Sequence, residues 1–192
     1  MKKMEEKILA EAEILSGGVL KVGSFLNQQV DIQFMREIGD EIARLYKDED
    51  ITKILTIESS GIPIAISAGF AMDLPVVYAK KSKALNMSGD VYTTEVMSFT
   101  HGVKNNVVVN KEFIEPGARI LIVDDFLAHG SALSGLIEIV EMAGATVAGC
   151  VAAIEKGFQQ GGDKLRNDGY RVESLAIIEE MNDTQIVFRR QK

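Results

Sequence analysis

Short apolar segments of strand length alternate with segments of helical periodicity over most of this chain. Strands are predicted at 53–57, 75–79, 119–123 and 146–154, and helices at 63–72 and 131–143. In such a repeat each helix crosses to the next strand, so the strands run parallel and helices cover both faces of the sheet. The sequence therefore predicts an α/β fold, doubly wound, with a mostly parallel central sheet flanked by helices.

Two more helices are predicted ahead of this repeat. The first runs from Met4 to Leu15 and ends at Gly17–Gly18, and the second runs from Asp31, its N-cap, to about Tyr46. Their expected core faces carry Met4, Ile8, Leu9, Ala12 and Leu15 in the first helix, and Ile32, Met35, Ile38, Ile42 and Leu45 in the second. Two segments, 20–30 and 80–102, do not fit the alternation, and we expect 80–102 to be a long loop that carries a hairpin. Such segments are often binding loops or lids.

Length and charge limit the possible functions. A chain of 192 residues fits a single domain, which we expect to span 1–192. A net charge of −7 and a pI near 5.0 argue against a general nucleic-acid-binding surface, which needs clustered Lys and Arg. A small phosphorylated ligand is still compatible, because backbone N–H groups, a few lysines and Mg²⁺ can meet its charge locally. The single cysteine, Cys150, lies in an apolar stretch, and no segment resembles a secretion signal or a membrane span, so we expect a cytoplasmic protein without a membrane partner.

The most informative motif is a strand, 120–123, that ends in Asp124 and Asp125 and is followed by a loop of small residues opening a helix. The start of a helix leaves backbone N–H groups free to bind a phosphate. The two acids, which we expect to be exposed at the strand end, can accept hydrogen bonds from ribose hydroxyls and stabilise a cationic sugar. Spacing alone leaves an ordinary strand, acidic cap and helix as an equal alternative.

This stretch resembles the binding motif for phosphoribosyl pyrophosphate (PRPP) of the type I phosphoribosyltransferases. The resemblance implies that Asp124 and Asp125 are catalytic. It also implies a phosphate loop formed by Ala128, His129, Gly130, Ser131 and Ala132. His129 stands where the motif usually has Thr, so the side-chain hydroxyl contact is lost unless Ser131 replaces it. The main chain of His129 is expected to matter more than its imidazole.

The same resemblance assigns the segment 58–63 as a pyrophosphate loop, with Ser60 and Gly61 binding PRPP. It makes 80–102 a flexible loop that closes over pyrophosphate, often across a dimer interface, with Lys81 as the contributing lysine. A capped turn and a solvated charge run are the alternatives for these two segments. The family also implies a homodimer and Mg²⁺ that is carried with PRPP or pyrophosphate. No residue of the chain is assigned directly as a metal ligand.

The residues alone favour a surface Lys156 and a core Phe158. The resemblance implies instead that the base binds at the end of the strand 146–154, where Lys156 can donate to a carbonyl oxygen and Phe158 can stack. The chain resembles bacterial members of the family that act on xanthine, over nearly its whole length. This resemblance implies that the segment 17–30 is a hood over the purine base, with Asn27 at the edge of the base and the backbone of Leu20 nearby. It implies purine salvage by transfer of 5-phosphoribosyl to N9 of a 6-oxopurine, giving xanthosine 5'-monophosphate and pyrophosphate from xanthine. Alternatives are an enzyme that acts on adenine, or a PRPP-sensing regulator without catalysis.

Overall fold

The computed structural model describes residues 1–15, 17–82, 90–98 and 103–191. Its helices are α1 (Lys2–Glu11), α2 (Ile32–Leu45), α3 (Gly61–Met72), α4 (Ser131–Met142) and α5 (Gly161–Asn167). Its strands are β1 (Glu13–Leu15), β2 (Val19–Lys21), β3 (Lys53–Ile57), β4 (Val76–Ser82), β5 (Val91–Ser98), β6 (Val103–Asn110), β7 (Arg119–Leu127), β8 (Thr146–Lys156), β9 (Val172–Met181) and β10 (Ile186–Phe188). Among these described residues, no helix has both the length and the apolar character needed to cross a membrane.

Eight strands form the central sheet, in the order β10-β9-β8-β7-β3-β4-β6-β5. The five central strands, from β9 to β4, run parallel to one another. The strands β10, β6 and β5 at the two edges pair antiparallel to their neighbours. This arrangement confirms the predicted α/β fold with a mostly parallel sheet.

Helices cover both faces of the sheet because successive residues of each central strand point to opposite sides. On β7, Leu121 and Val123 join the core beneath α1, α2 and α3, whereas Ile120 and Ile122 join the core beneath α4. These four side chains have no exposed surface. The strands are therefore apolar on both faces, as parallel strands between two helical layers must be.

The N-terminal prediction was wrong in part. The first helix ends at Glu11, and residues 13–15 pair with residues 19–21 as a two-stranded hairpin. Both Gly17 and Gly18 adopt positive φ angles, of 80° and 75°, a conformation that favours a tight turn over continued helix. Leu9 and Leu15, which were expected in the core, are 63% and 44% exposed.

The second helix was predicted correctly, with the Asp31 carboxylate accepting a hydrogen bond from Phe34 N. Ile32 is an exception to its predicted core face, since it is 71% exposed. It lies near Ile66 and Phe70 of α3, and these side chains line an apolar surface groove between the two helices. This groove is an exposed apolar face on the side of the sheet opposite α4.

The segment 80–102 is only partly a loop. Strand β4 continues through Lys80 and Lys81, and the hairpin of β5 and β6 reaches Asn110, beyond the predicted end. Residues 83–89 and 99–102 of the predicted flexible loop lie outside the described residues. The C-terminal elements α5, β9 and β10 were not predicted, although the apolar run 175–178 of β9 is a strand signal.

Candidate active site

The carboxyl ends of three neighbouring parallel strands bring the predicted site residues together. Strand β7 pairs with β3 on one side and with β8 on the other. The segment 58–63 follows β3, the two acids and the loop 128–132 lie at the end of β7, and Lys156 ends β8. Ligands of open α/β sheets bind at this edge. The sheet therefore places phosphate-binding, acidic and base-reading candidates side by side.

The two acids have different environments. Asp124 is buried, at 5% exposure, which corrects the expectation that both acids are exposed, whereas Asp125 is partly exposed. The Asp125 backbone N–H donates to Asp124 Oδ1 at 2.9 Å. Burial, and then the negative charge of Asp125, raise the pKa of Asp124 well above its usual value, and the Lys81 ammonium acts in the opposite direction. The positive charge of Lys81 thus favours the ionised form of Asp124 from within the same chain.

The phosphate loop 128–132 turns directly into helix α4. Gly130 is the N-cap residue and has a φ of 83°, which explains the need for glycine at this position. Within the described ranges, no side chain caps this helix start. Helix α4 begins at Ser131, and the N–H of Ser134 donates to Gly130 O at 2.9 Å. The loop therefore presents a helix start of the kind that binds phosphate.

The predicted pyrophosphate loop is a tight turn between β3 and α3, in which Ser60 is the N-cap residue and Gly61 the first helical residue. A Cβ atom added at Gly61 would lie 2.3 Å from Thr56 Oγ1 and 3.0 Å from Asp124 Oδ1. The glycine thus permits close packing of this loop against the acids. The peptide bond between Glu58 and Ser59 is cis, and Lys81 N–H donates to Glu58 Oε1 at 2.6 Å.

Sequence reasoning missed Thr56, which lies beneath the pyrophosphate loop. Its side chain is fully buried, and within the described part of the chain its Oγ1 has no hydrogen-bond partner. A buried hydroxyl without a partner is rare in folded proteins. The signal was present in the sequence as the one uncharged polar residue in the strand Lys53–Ile57.

At the predicted base site, the side chains of Lys156 and Asp125 contact the hood, residues 17–30. Lys156 Nζ donates to Gly18 O at 2.9 Å and lies 5.8 Å from the centroid of the Phe126 ring. Burial lowers the pKa of Lys156. Asn27 Nδ2 donates to Asp125 Oδ2 at 3.3 Å, so the hood reaches the acid pair directly.

The two remaining base-site candidates differ in burial. Leu20 is 6% exposed and packs in the core beneath the hood. Phe158 is 40% exposed and lies in the turn Gly157–Gln159, directly after β8. The structure thus brings Lys156, Asn27 and Asp125 to one edge of the sheet, with the ring of Phe158 open at its border.

The hood is attached to the first helix through a lysine that sequence reasoning did not single out. Lys7 Nζ pairs with Asp31 Oδ2 at 2.8 Å and with Glu11 Oε1 at 2.7 Å. The same ammonium lies 5.8 Å from the ring centroid of Phe25 in the hood and 5.5 Å from that of Phe34. These contacts join α1, the hood and α2.

Carboxylate oxygens are the available metal donors of the site. Within residues 1–15, 17–82, 90–98 and 103–191, no group of three or more His, Cys, Asp or Glu is placed to hold a metal ion. Mg²⁺ commonly binds through one or two carboxylates together with substrate phosphates. The adjacent Asp124 and Asp125, whose like charges raise the pKa of Asp124, fit an ion shared with a phosphorylated substrate.

Comparison with known proteins agrees with this geometry. The family model described as phosphoribosyl transferase domain matches residues 27–189. The chain is 48% identical over its whole length to the full-length xanthine phosphoribosyltransferase of Lachnoclostridium phytofermentans. It is 46% identical to the xanthine phosphoribosyltransferase of Ligilactobacillus salivarius, with 98% of each chain covered.

Solved structures show the same fold at lower identity. The adenine phosphoribosyltransferase of Thermoanaerobacter pseudethanolicus superimposes with a TM-score of 0.74 at 20% identity, covering 92% of this chain and 98% of that one. This likeness bears on the fold alone. From the family match and the full-length identities it follows that the chain belongs to the phosphoribosyltransferase family, in the group that contains the xanthine phosphoribosyltransferases.

Proposed function

We propose that this protein is a purine salvage enzyme that transfers the 5-phosphoribosyl group of PRPP to N9 of xanthine, giving xanthosine 5'-monophosphate and pyrophosphate. The observation that carries this proposal is the juxtaposition of the acid pair and phosphate loop of β7 with Lys156 of β8. Two neighbouring strand ends thereby offer one site for a sugar phosphate and one for a carbonyl-bearing base. The full-length relatives named xanthine phosphoribosyltransferase support xanthine as that base.

PRPP binds along the ends of β3 and β7 in this proposal. The N–H groups of the phosphate loop, Ala128, His129, Gly130, Ser131 and Ala132, hold the 5-phosphate at the start of α4. Ser60 and Gly61 hold the diphosphate, and Lys81, which is coupled to Asp124, supplies a positive charge near it. Mg²⁺ bound with PRPP would be held by Asp124 and Asp125 and would supply charge neutralisation of the leaving diphosphate.

The chemistry is stabilisation of a cationic sugar. As the bond from the anomeric carbon to the diphosphate oxygen breaks, positive charge develops on the ribose ring. The carboxylates of Asp124 and Asp125 face this charge and accept hydrogen bonds from the ribose hydroxyls. N9 of the base then forms the new bond from the opposite side, and its proton is lost to solvent or to the leaving diphosphate. No covalent enzyme intermediate is required, so the chain acts by position and electrostatics.

The base is read by Lys156 and the hood. The ammonium of Lys156 is a donor only, which suits the carbonyl oxygens of an oxopurine and not the exocyclic amine of adenine. In the structure this ammonium donates to Gly18 O, and the amide of Asn27 donates to Asp125. Binding of the base replaces these two internal hydrogen bonds, with the backbone of Leu20 nearby and the ring of Phe158 stacking on the base.

The same proposal includes the larger organisation of the molecule. The chain 1–192 acts as one domain in the cytoplasm, with a hood at 17–30 and a flexible loop at about 80–102 that excludes water during transfer. It forms a homodimer, for which the exposed apolar groove between α2 and α3 is a candidate surface. The proposal includes no nucleic acid or membrane partner.

The test is release of pyrophosphate from PRPP and Mg²⁺ with xanthine, guanine, hypoxanthine or adenine supplied separately, and with no base as the control. We expect turnover with xanthine at the highest kcat/KM. Preference for adenine would keep the reaction class and overturn the role of Lys156. Binding of PRPP without turnover on any base would favour the regulatory alternative.

A further inference from the structure

Helix α5 begins with two glycines, Gly161 and Gly162, that lie between the phosphate loop and the end of β8. The N–H of Gly161 donates to Ala128 O at 3.1 Å. A Cβ atom added at Gly161 would lie 2.3 Å from Ala128 O and 2.5 Å from Gly130 N. Both are backbone atoms, which cannot swing aside as a side chain can. Gly161 therefore packs directly against the main chain of the phosphate loop.

Gly162 packs against the base-reading strand. A Cβ atom added there would lie 2.2 Å from Glu155 Oε1 and 2.8 Å from Arg166 Nη1. Glu155 immediately precedes Lys156 and pairs in register with Leu127, the last residue before the phosphate loop. Two consecutive glycines thus contact two neighbouring strand ends, one of which holds phosphate and the other the base.

The carboxylate of Glu155 is held by three hydrogen bonds from two side chains. It is fully buried and accepts hydrogen bonds from Arg166 Nη1 at 2.9 Å, Arg166 Nη2 at 2.7 Å and Ser174 Oγ at 2.5 Å. Asp163 accepts from Arg166 at 3.2 Å and from Arg189 at 2.8 Å. A buried carboxylate is tolerated only with such complete pairing, so α5, β9 and the C-terminal segment all hold this strand end in place.

We propose that Gly161, Gly162, Glu155 and Arg166 are positioning residues that set the separation between the phosphate loop and Lys156. The inference rests on the proposed function, in which one substrate binds at each of these places. Transfer requires the reacting carbon and nitrogen to approach to about 3–3.5 Å, and a small misplacement can reduce the rate by about 100-fold. Gly161 and Gly162 together form a spacer between these two places. Because the spacer contacts the backbone of the phosphate loop on one side and the paired carboxylate of Glu155 on the other, the distance between them can change little.

The test compares Gly161→Ala and Gly162→Ala with Gly149→Ala. Gly149 is the matched control because its added Cβ would also be too close to a neighbour, at 2.5 Å from Tyr46 Cε1, although Gly149 lies in β8 seven residues before Lys156. Both variants should lower kcat, because they change the separation of the two bound substrates. Gly161→Ala should also raise the KM for PRPP by about tenfold or more, and Gly162→Ala the KM for xanthine by a similar factor. Each change should affect the other KM less than threefold, and Gly149→Ala should lower the Tm with both KM values unchanged.

A second, milder pair of variants keeps the test decisive if the glycine variants do not fold. Arg166→Lys keeps the charge but loses the two-pronged contact with Glu155, and it should raise the KM for xanthine without changing that for PRPP. Arg171→Lys, at a surface ion pair with Glu173, should change neither. Loss of Tm with unchanged KM values in both the glycine and the Arg166 variants would overturn the positioning role.

Calorimetric binding of PRPP separates this inference from the proposed function, because it needs no base. If the wild-type protein binds PRPP but releases no pyrophosphate with any base, the proposed function fails, and the affinity of Gly161→Ala for PRPP still decides the inference. A weakening of about tenfold supports the spacer. Wild-type affinity in that variant overturns it.

Discussion

In the proposed function, the phosphate-binding end and the base-binding end of the site are built from different chemical groups. At the phosphate end, the chain presents backbone N–H groups of a glycine-capped helix start and an acid buried in the sheet. At the base end, it presents side chains, Lys156 and Asn27, which in the structure bind Gly18 O and Asp125. In this proposal the main chain fixes the phosphate-binding end. At the other end, binding of the base replaces the internal hydrogen bonds of Lys156 and Asn27. The two ends should therefore respond differently to mutation, and the variants below test this.

The largest effect is expected at the acid pair. Asp125→Asn should lower kcat by about 100- to 1,000-fold, because a neutral amide no longer stabilises the cationic sugar. The loss should be equal for every base that is used, since Asp125 acts on the ribose. Turnover measured with xanthine and with guanine checks both points. Asp48→Asn, in the exposed turn after α2, is the control, and wild-type kcat in the Asp125 variant would remove that residue from the catalytic set.

The second effect is expected at Lys156 and should depend on the base. Lys156→Met keeps the length and apolar body of the side chain but removes the ammonium. We expect kcat/KM for xanthine to fall by about 10- to 100-fold, as a hydrogen bond from a charged donor contributes about 1.5–3 kcal/mol. PRPP affinity, measured by calorimetry, should change less than threefold. Equal losses for PRPP and xanthine would contradict the difference between the two ends.

The pH profile should separate the same two ends. The pKa of Asp124 is raised by burial and by Asp125, and its carboxylate is the active form, so kcat/KM, which reports the free enzyme, should fall on acidification at a higher pH than an ordinary aspartate would produce. The pKa of Lys156 is lowered by burial, so its ammonium is lost on the alkaline side below the pH at which an ordinary lysine titrates. Profiles of kcat and kcat/KM for wild type and Lys156→Met check this. Identical alkaline limbs in the two proteins would exclude Lys156 as their source.

The smallest effect is expected at Asn27. Its amide makes a 3.3 Å hydrogen bond to Asp125 that must be given up when the base binds. Asn27→Ala loses the base contact but also removes this competing internal bond, so the KM for xanthine should rise only about two- to tenfold. Steady-state kinetics with PRPP at saturation measure this. A change of more than 100-fold would show that the hood determines base binding more strongly than Lys156 does.

The geometry around the proposed phosphate loop followed from the sequence more closely than the geometry around the proposed base site, for a physical reason. Strand, acids, loop and helix are contiguous between 119 and 142, so local patterning and capping determine them together. Their neighbours follow from the rule that parallel strands place their carboxyl ends at one edge. The burial of Asp124 was not predictable, because it depends on the packing of Gly61 and the turn after β3.

The base end depends on contacts between residues far apart in the chain. The bond from Lys156 to Gly18 spans 138 residues, and the attachment of the hood by Lys7 involves three separate elements. No local period encodes such pairs. The first helix was extended wrongly to Leu15 because Ala12 and Leu15 continue its apolar spacing, although a two-glycine turn makes a hairpin of the same segment.

The positive φ angle of Gly130 has a consequence for how this protein tolerates genetic change. A phosphate site made of peptide N–H groups persists when its side chains are exchanged, and His129, where the family motif usually has Thr, is an example of such an exchange. Saturation mutagenesis should find positions 128, 129 and 132 permissive for small and medium residues, but position 130 restricted to glycine, since other residues meet a steric penalty at a φ of 83°. Most positions of this loop should therefore tolerate substitution because the backbone makes the site, whereas Gly130 should not tolerate it.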